Sequence, residues 1–172
     1  MAQVLRDPEL LHPILREHVA HIQREVIERH SMPFKLFETG RTRERQADLV
    51  EKRRARTLVS RQFFDVEREP PLYSTGFNLV HFSRRWSWDV RNRTIVSWYQ
   101  ILGELVLDLV PDLEWAGYWR SCSDYTFFQL RHAVLVREGI VIPERERLDS
   151  RVIGKRSSSE TPEATERRAS LA

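Results

Sequence analysis

Histidine and cysteine are the side chains here best suited to holding a transition metal, and the chain has six histidines and one cysteine. His12, His18, His21 and His30 fall in one predicted helix, and His18 and His21 stand about one turn apart. Two imidazoles at that spacing can share an ion, but a zinc site needs a third protein ligand, and spacing supplies none. These histidines therefore read as surface and stripe-edge residues. The single cysteine, Cys122, excludes an internal disulfide framework and any zinc site built on cysteines. Charge is mixed, with 28 Lys+Arg against 25 Asp+Glu, and a pI near 9.3 points only weakly to anionic partners such as wall polymers. The arginines read as scattered, with no basic motif interleaved with aromatics, so nucleic acid is not an expected partner.

Three stretches carry more specific patterns. The first is Glu38-Thr-Gly-Arg41-Thr-Arg-Glu-Arg-Gln46. The second is Val80-His81-Phe82-Ser83-Arg84-Arg85-Trp86-Ser87-Trp88-Asp89. The third runs from Glu114 to Leu130, where Trp115 and Trp119 bracket an Ala-Gly pair before Asp124-Tyr-Thr-Phe127-Phe128-Gln129. In this order the three stretches resemble the zinc D-alanyl-D-alanine carboxypeptidase and L-alanyl-D-glutamate endopeptidase superfamily, which includes many phage endolysins. The resemblance covers roughly Leu11 to Leu130.

That family opens with an E-T-x-R-T-x-x-x-Q signature, continues with S-x-H-x-x-G-x-A-x-D, and closes with W-G-G-x-W followed by D-x-P-H-F-Q. The resemblance gives Arg41 the role of polarising the scissile carbonyl or holding a substrate carboxylate, and more loosely brings Gln46 into the site. It gives Asp124 the role of general base. Zinc would be held at the positions of Phe82, Asp89 and Phe127, of which only Asp89 can ligate a metal. Arg85 stands at the glycine position and Ser87 at the alanine. Phenylalanine has no lone pair to offer, and one carboxylate cannot retain zinc, so the resemblance implies a site that has lost its metal. In the family the two histidine positions face each other across the metal, so two phenyl rings there could fill the vacated volume. Two alternatives stay open at this point. His81 could act as a ligand if a bulge turned it into the site, and Arg41 could simply pair with a buried carboxylate.

The elements that must position these residues follow from periodicity and breakers. Pro8 to about His30 reads as a helix with Leu11, Leu15, Ile22 and Val26 on one stripe and His18 inside it. Ser31-Met-Pro33 ends it, and Phe34 to Glu38 alternates as a short strand. Thr42 is placed to cap a helix to about Arg56 that carries Ala47, Leu49 and Val50 inward. Residues 57 to 80 read as an irregular loop; the resemblance implies that it rims the cleft, while its wealth of aromatics and prolines suits it instead to covering the cleft or meeting a partner. Thr94 to Val110 is the clearest helix, with Ile95, Trp98, Leu102, Leu105 and Leu109 at three- and four-residue steps and Pro111 as its stop.

The expected architecture is α+β. A small antiparallel sheet carries helices outside, as in the Hedgehog and D-Ala-D-Ala carboxypeptidase group, and an extended C-terminal tail follows. Residues 1–142 form the peptidase-like domain, and 143–172 are too charged and polar to fold alone. With no apolar run near the ~18 residues of a membrane span and no signal sequence, the expectation is a soluble protein made in the cytoplasm. The leading functional expectation is a catalytically degenerate domain without a cofactor. It would serve as a structural or cell-wall-binding part of an assembly with other protein subunits, such as a phage-like particle. The alternatives are a working zinc peptidoglycan peptidase with a non-standard metal site, and an interaction module that uses no cleft.

Overall fold

The computed structural model describes residues 3–52, 54–55, 60–120 and 123–141. The tail expected from Pro143 onward lies outside the described residues, as does Cys122. Helix α1 (Pro13–Ile22) is followed by β1 (Phe34–Glu38), α2 (Arg43–Glu51), β2 (Gly76–Phe82) and β3 (Trp86–Ser87). Helix α3 (Arg93–Leu109), β4 (Leu113–Trp115), β5 (Phe127–Leu130) and α4 (His132–Arg137) complete the order. The fold is α+β, with helices around one open antiparallel sheet.

The first helix is shorter than its apolar stripe suggests. Pro8–Leu10 form a separate tight turn capped by Asp7, extended backbone at Leu11 and His12 follows, and Pro13 starts α1 at a position where its missing N–H costs nothing. The helical path then widens by one turn at Gln23–Glu28 before Met32. Leu11, Leu15, Ile22 and Val26 are nonetheless all buried, so the stripe survives the interruptions. Thr42 does cap α2, its hydroxyl accepting the Arg45 N–H at 3.1 Å. That helix ends at Glu51, with Leu49 buried, Val50 half-buried and Ala47 exposed, so only part of the expected inward face is used.

Strand order is β1-β2-β5-β4, with β3 pairing the far end of β2. Strand β2 is buried along almost its whole length. Its residues Phe77, Leu79 and His81 face the helical layer, where Phe77 stacks on Phe128 with ring centroids 5.6 Å apart. Gly76, Asn78, Val80 and Phe82 face the opposite side, because side chains alternate along a strand. Strand β1 carries a bulge. Leu36 pairs with Leu79 and Glu38 with Asn78, leaving Phe37 as the extra residue. Two residues opposite one put both Phe37 and Glu38 on the open side.

Helix α3 closes the other side. Asn92 caps it by accepting the N–H groups of Thr94 and Ile95, and Tyr99, Leu102, Gly103 and Val106 are buried against the sheet. The buried face is thus turned slightly from the one expected, with Ile95, Trp98, Leu105 and Leu109 at its margins. The Tyr99 hydroxyl accepts the His81 N–H at 3.1 Å and donates to the Ser87 carbonyl at 3.0 Å, tying α3 to β2 and β3. Trp115 lies flat against Gly103 of this helix and against Gly117, and its Nε1 donates to the Tyr125 carbonyl at 2.9 Å. A Cβ on Gly103 would overlap the indole. The substitution Gly103→Ala is therefore expected to destabilise the domain by about 1–3 kcal/mol through overpacking, despite the better helix propensity of alanine. Urea unfolding of the two proteins measures the difference, and an unchanged midpoint would show that the Trp115 ring can give way.

Candidate functional site

The open side of the sheet is where a cleft is expected, and several of the buried polar residues lie there. Glu38, exposed by the bulge to that side, is buried to 2%. A carboxylate taken from water at that depth is costly unless paired and hydrogen-bonded. The pairing is supplied locally. Arg41, three residues on, donates Nε at 3.1 Å and a second guanidinium nitrogen to Glu38 Oε2, a two-point clamp. The first turn of α2 brings Arg45 Nε to 3.4 Å from Glu38 Oε1. Arg41 spends a further N–H on Gln46 Oε1 at 2.9 Å. The two guanidinium side chains are only 14% and 16% exposed.

From this clamp a chain of hydrogen bonds crosses the sheet. Gln62, 1% exposed, reaches down from the loop and donates Nε2 to the Glu38 carbonyl at 3.0 Å and to Asn78 Oδ1 at 2.9 Å. Asn78 donates Nδ2 to the Thr126 hydroxyl at 2.7 Å, and that hydroxyl donates to Asp124 Oδ1, also at 2.7 Å. Asp124 Oδ1 accepts the Thr126 N–H as well, at 2.9 Å. The donors and acceptors run in one consistent direction from Gln62 to Asp124. The loop itself is held by backbone pairing, Arg41 N–H to Gln62 C=O at 2.7 Å and Thr75 N–H to Arg61 C=O at 2.7 Å. The described part from Ser60 thus lies over this side of the sheet, and Gly76 to Val80, expected as irregular loop, are instead the start of β2.

The residues singled out from the sequence do not all meet here. Arg41, Gln46 and Asp124 belong to this polar system, Arg41 and Gln46 at the clamp and Asp124 at the end of the chain. Phe127 pairs across the sheet with Asn78, and its ring lies over Gly76 and meets Trp119 edge-on at 6.1 Å. Phe82 is four residues further along β2, roughly 13 Å at the usual strand rise. It packs instead on Trp86, with centroids 4.9 Å apart, and under the Lys35 ammonium at 4.1 Å. Arg85 and Asp89 are exposed, and Asp89 Oδ1 accepts the Arg91 N–H at 3.0 Å. His81 keeps regular pairing on both sides, with Phe34 and with Ser87, and the bulge falls in β1. Its ring faces the helical layer, edge-on to Phe34 at 5.7 Å. Among the described residues no group of three or more His, Cys, Asp or Glu is gathered closely enough to hold a metal.

No family model matches the chain, and no curated protein matches it either. Among solved structures, the L-Ala D-Glu endopeptidase ChiX of Serratia marcescens superposes with a TM-score of 0.54 at 20% identity, over 78% of this chain and 92% of that one. The fold resembles that of this endopeptidase. At this identity the likeness extends to the fold and no further. Within the peptidase-like fold, Glu38, Gln62 and Asn78 are the participants that sequence reasoning missed. Glu38 was legible as a strand residue but not as inward-facing, because a bulge leaves no mark in composition. Gln62 sits in a loop, and its side chain bonds only to residues distant in sequence, Glu38 and Asn78.

Two outcomes follow from this geometry. Glu38→Ala would take from Arg41 its carboxylate partner, leaving it Gln46, and from Arg45 one of two, leaving it Asp48 at 3.6 Å. It should cost about 3 kcal/mol, the low end for a broken buried pair because both guanidiniums keep a partner and some water. Glu38→Gln, which keeps the shape and one acceptor, should cost less, and equal losses measured by denaturant unfolding would show that charge is not the determinant. The second outcome concerns pH. Burial lowers the pKa of His12, His18 and His81 from the ordinary 6.5, in His12 and His18 against opposing carboxylates. A histidine harder to protonate when folded gives stability that is complete above 6.5 and declines as pH falls below it, because the unfolded chain then takes up protons first. The unfolding free energy should therefore drop between neutral pH and pH values below 6.5, and less so in His81→Leu; an identical pH profile for that variant would remove His81 from the account.

Proposed function

We propose that this chain is a catalytically silent peptidase-like domain, a structural or wall-binding component of a larger assembly such as a phage-like particle. The observation that carries the reading is the engagement of Arg41. The guanidinium at the position of the family's substrate arginine is clamped to Glu38 and Gln46, under a loop whose Gln62 is hydrogen-bonded into the sheet. A substrate carboxylate would have to displace a buried carboxylate of the same charge and better geometry. The ligand pattern supports the same reading in the register that fits the sheet, since Phe82 and Asp89 stand apart from Phe127 and the register anchored on Asp89 gathers no common site. Anchored on Asp89, the S-x-H-x-x-G-x-A-x-D pattern puts Phe82 at the histidine. Anchored on Gly76, where the sheet places β2 beside β5, it puts Tyr73 at the histidine and Val80 at the aspartate. Neither register, together with Phe127, supplies three ligands for zinc.

In this role Asp124 is a turn residue that holds Thr126 and through it Asn78, rather than a proton acceptor for water. The wall contact, if peptidoglycan is the partner, uses the surface around the filled face and needs no metal. The alternative, an active zinc peptidase recruiting His81, requires that imidazole to leave the helical layer and cross the sheet.

The test is elemental analysis of the purified full chain together with incubation on peptidoglycan-derived peptides and sedimentation with intact sacculi. The expected result is well under one zinc per chain, no cleavage, and sedimentation with sacculi unaffected by chelator. Stoichiometric zinc that disappears in His81→Ala, or chelator-sensitive cleavage, would overturn the silent reading and establish the zinc peptidase.

A further inference from the structure

The bulge that delivers Glu38 to the polar system also places Phe37 at the other end of the open side, in an aromatic group outside that system. Phe37 meets Trp86 and Trp88 edge-on, each with ring centroids 4.9 Å away. Trp86 in turn packs on Phe82 at 4.9 Å. Two cations lie on these rings, the Arg6 guanidinium 5.1 Å from Phe37 and 5.3 Å from Trp86, and the Lys35 ammonium 4.1 Å from Phe82. Arg6 is further fixed by donating Nε to the Phe37 carbonyl at 3.2 Å. The turn from β2 to β3 carries Arg84 and Arg85, and the segment after β3 carries Arg91 and Arg93, all four exposed. From Phe82 to Arg93 only Asp89 opposes them. Between these arginines protrude two apolar side chains, Trp88 at 47% and Val90 at 59% exposure.

We infer that this end of the sheet is a peripheral docking surface for an anionic lipid bilayer. The charge requires an anionic partner, and the apolar tips decide its class. A soluble polyanion that stacks on aromatics would use open ring faces, but Phe37, Trp86 and Phe82 already carry Arg6 and Lys35. Such a polymer also gains nothing from a projecting valine. A bilayer accepts both features at once. Trp88 and Val90 enter the boundary between headgroups and acyl chains, and the arginines stay level with the lipid phosphates. The rings below serve as a rigid base that holds Arg6 and Lys35 toward the surface. This inference is independent of whether the polar face binds or cleaves peptidoglycan, because no residue is shared between the two.

The experiment is co-sedimentation of the full chain with vesicles of phosphatidylcholine alone and of phosphatidylcholine mixed with phosphatidylglycerol. Binding is expected to the anionic vesicles, to weaken with added salt, and to fall roughly fivefold for each of Arg84→Gln and Arg85→Gln. Tryptophan emission should shift to shorter wavelength on binding, with the shift reduced in Trp88→Phe. All these positions are exposed or partly exposed, so circular dichroism and unfolding midpoints serve to show that the variants stay folded. Equal binding to neutral and anionic vesicles, or none to either, would overturn the inference. So would an arginine-dependent affinity for an oligonucleotide or for sacculi without vesicle binding, which would assign the patch to a polymer.

Discussion

The Glu38 carboxylate is the constraint to which the open side of this sheet is fitted. Its burial to 2% would be prohibitive alone, and each neighbouring choice addresses that cost. The bulge in β1 turns it inward, the short connection to α2 returns Arg41 to it, and the Thr42 cap fixes the helical turn that brings Arg45 within reach. Once the clamp is formed, the Glu38 carbonyl becomes the acceptor on which Gln62 lands, and Gln62 orients Asn78. The loop, the sheet centre and the turn at Asp124 are thus parts of one polar arrangement. Such arrangements favour a single geometry, because every half-satisfied alternative leaves a buried group unpaired.

How much of this was readable beforehand depended on the range of the interaction. Helix α3 and strand β1 are local matters, visible as a 3.6-residue stripe ended by Pro111 and as alternation after Pro33. Strand β2 was hidden because Gly76 to His81 is buried on both faces with polar Asn78 and His81 included, so no alternation of apolar and polar residues marks it. The interruptions at Leu11 and His12 were hidden in the opposite sense, since the apolar stripe continues through them. For the site, the sequence identified Arg41, Gln46 and Asp124 as residues of interest and offered a buried carboxylate as the partner of Arg41, but it did not single out Glu38 as that carboxylate. That depends on register, and register paired Phe127 with Asn78 rather than bringing it to Phe82.

The two ends of the open side illustrate how one backbone irregularity can serve unlike purposes. An extra residue in a strand changes the facing of everything after it, and here it gives a buried carboxylate to one end and an aromatic ring to the other. The peptidase-like scaffold tolerates this because the helical side, where Phe77, Leu79, Phe128 and Leu130 meet α3, keeps its register on the other face. The apolar core and the buried polar system are separated by the thickness of a single sheet.

Trp115 gives that separation an optical consequence. With Gly103 and Gly117 both against its six-membered ring and its N–H bonded to the Tyr125 carbonyl, the indole is held in place within the domain. Its transition dipole is therefore fixed in the molecular frame, so the polarised emission of this ring decays only as fast as the whole domain tumbles. In a variant that keeps Trp115 alone of the five tryptophans, that decay gauges the hydrodynamic size of the domain, and attachment to anything larger slows it.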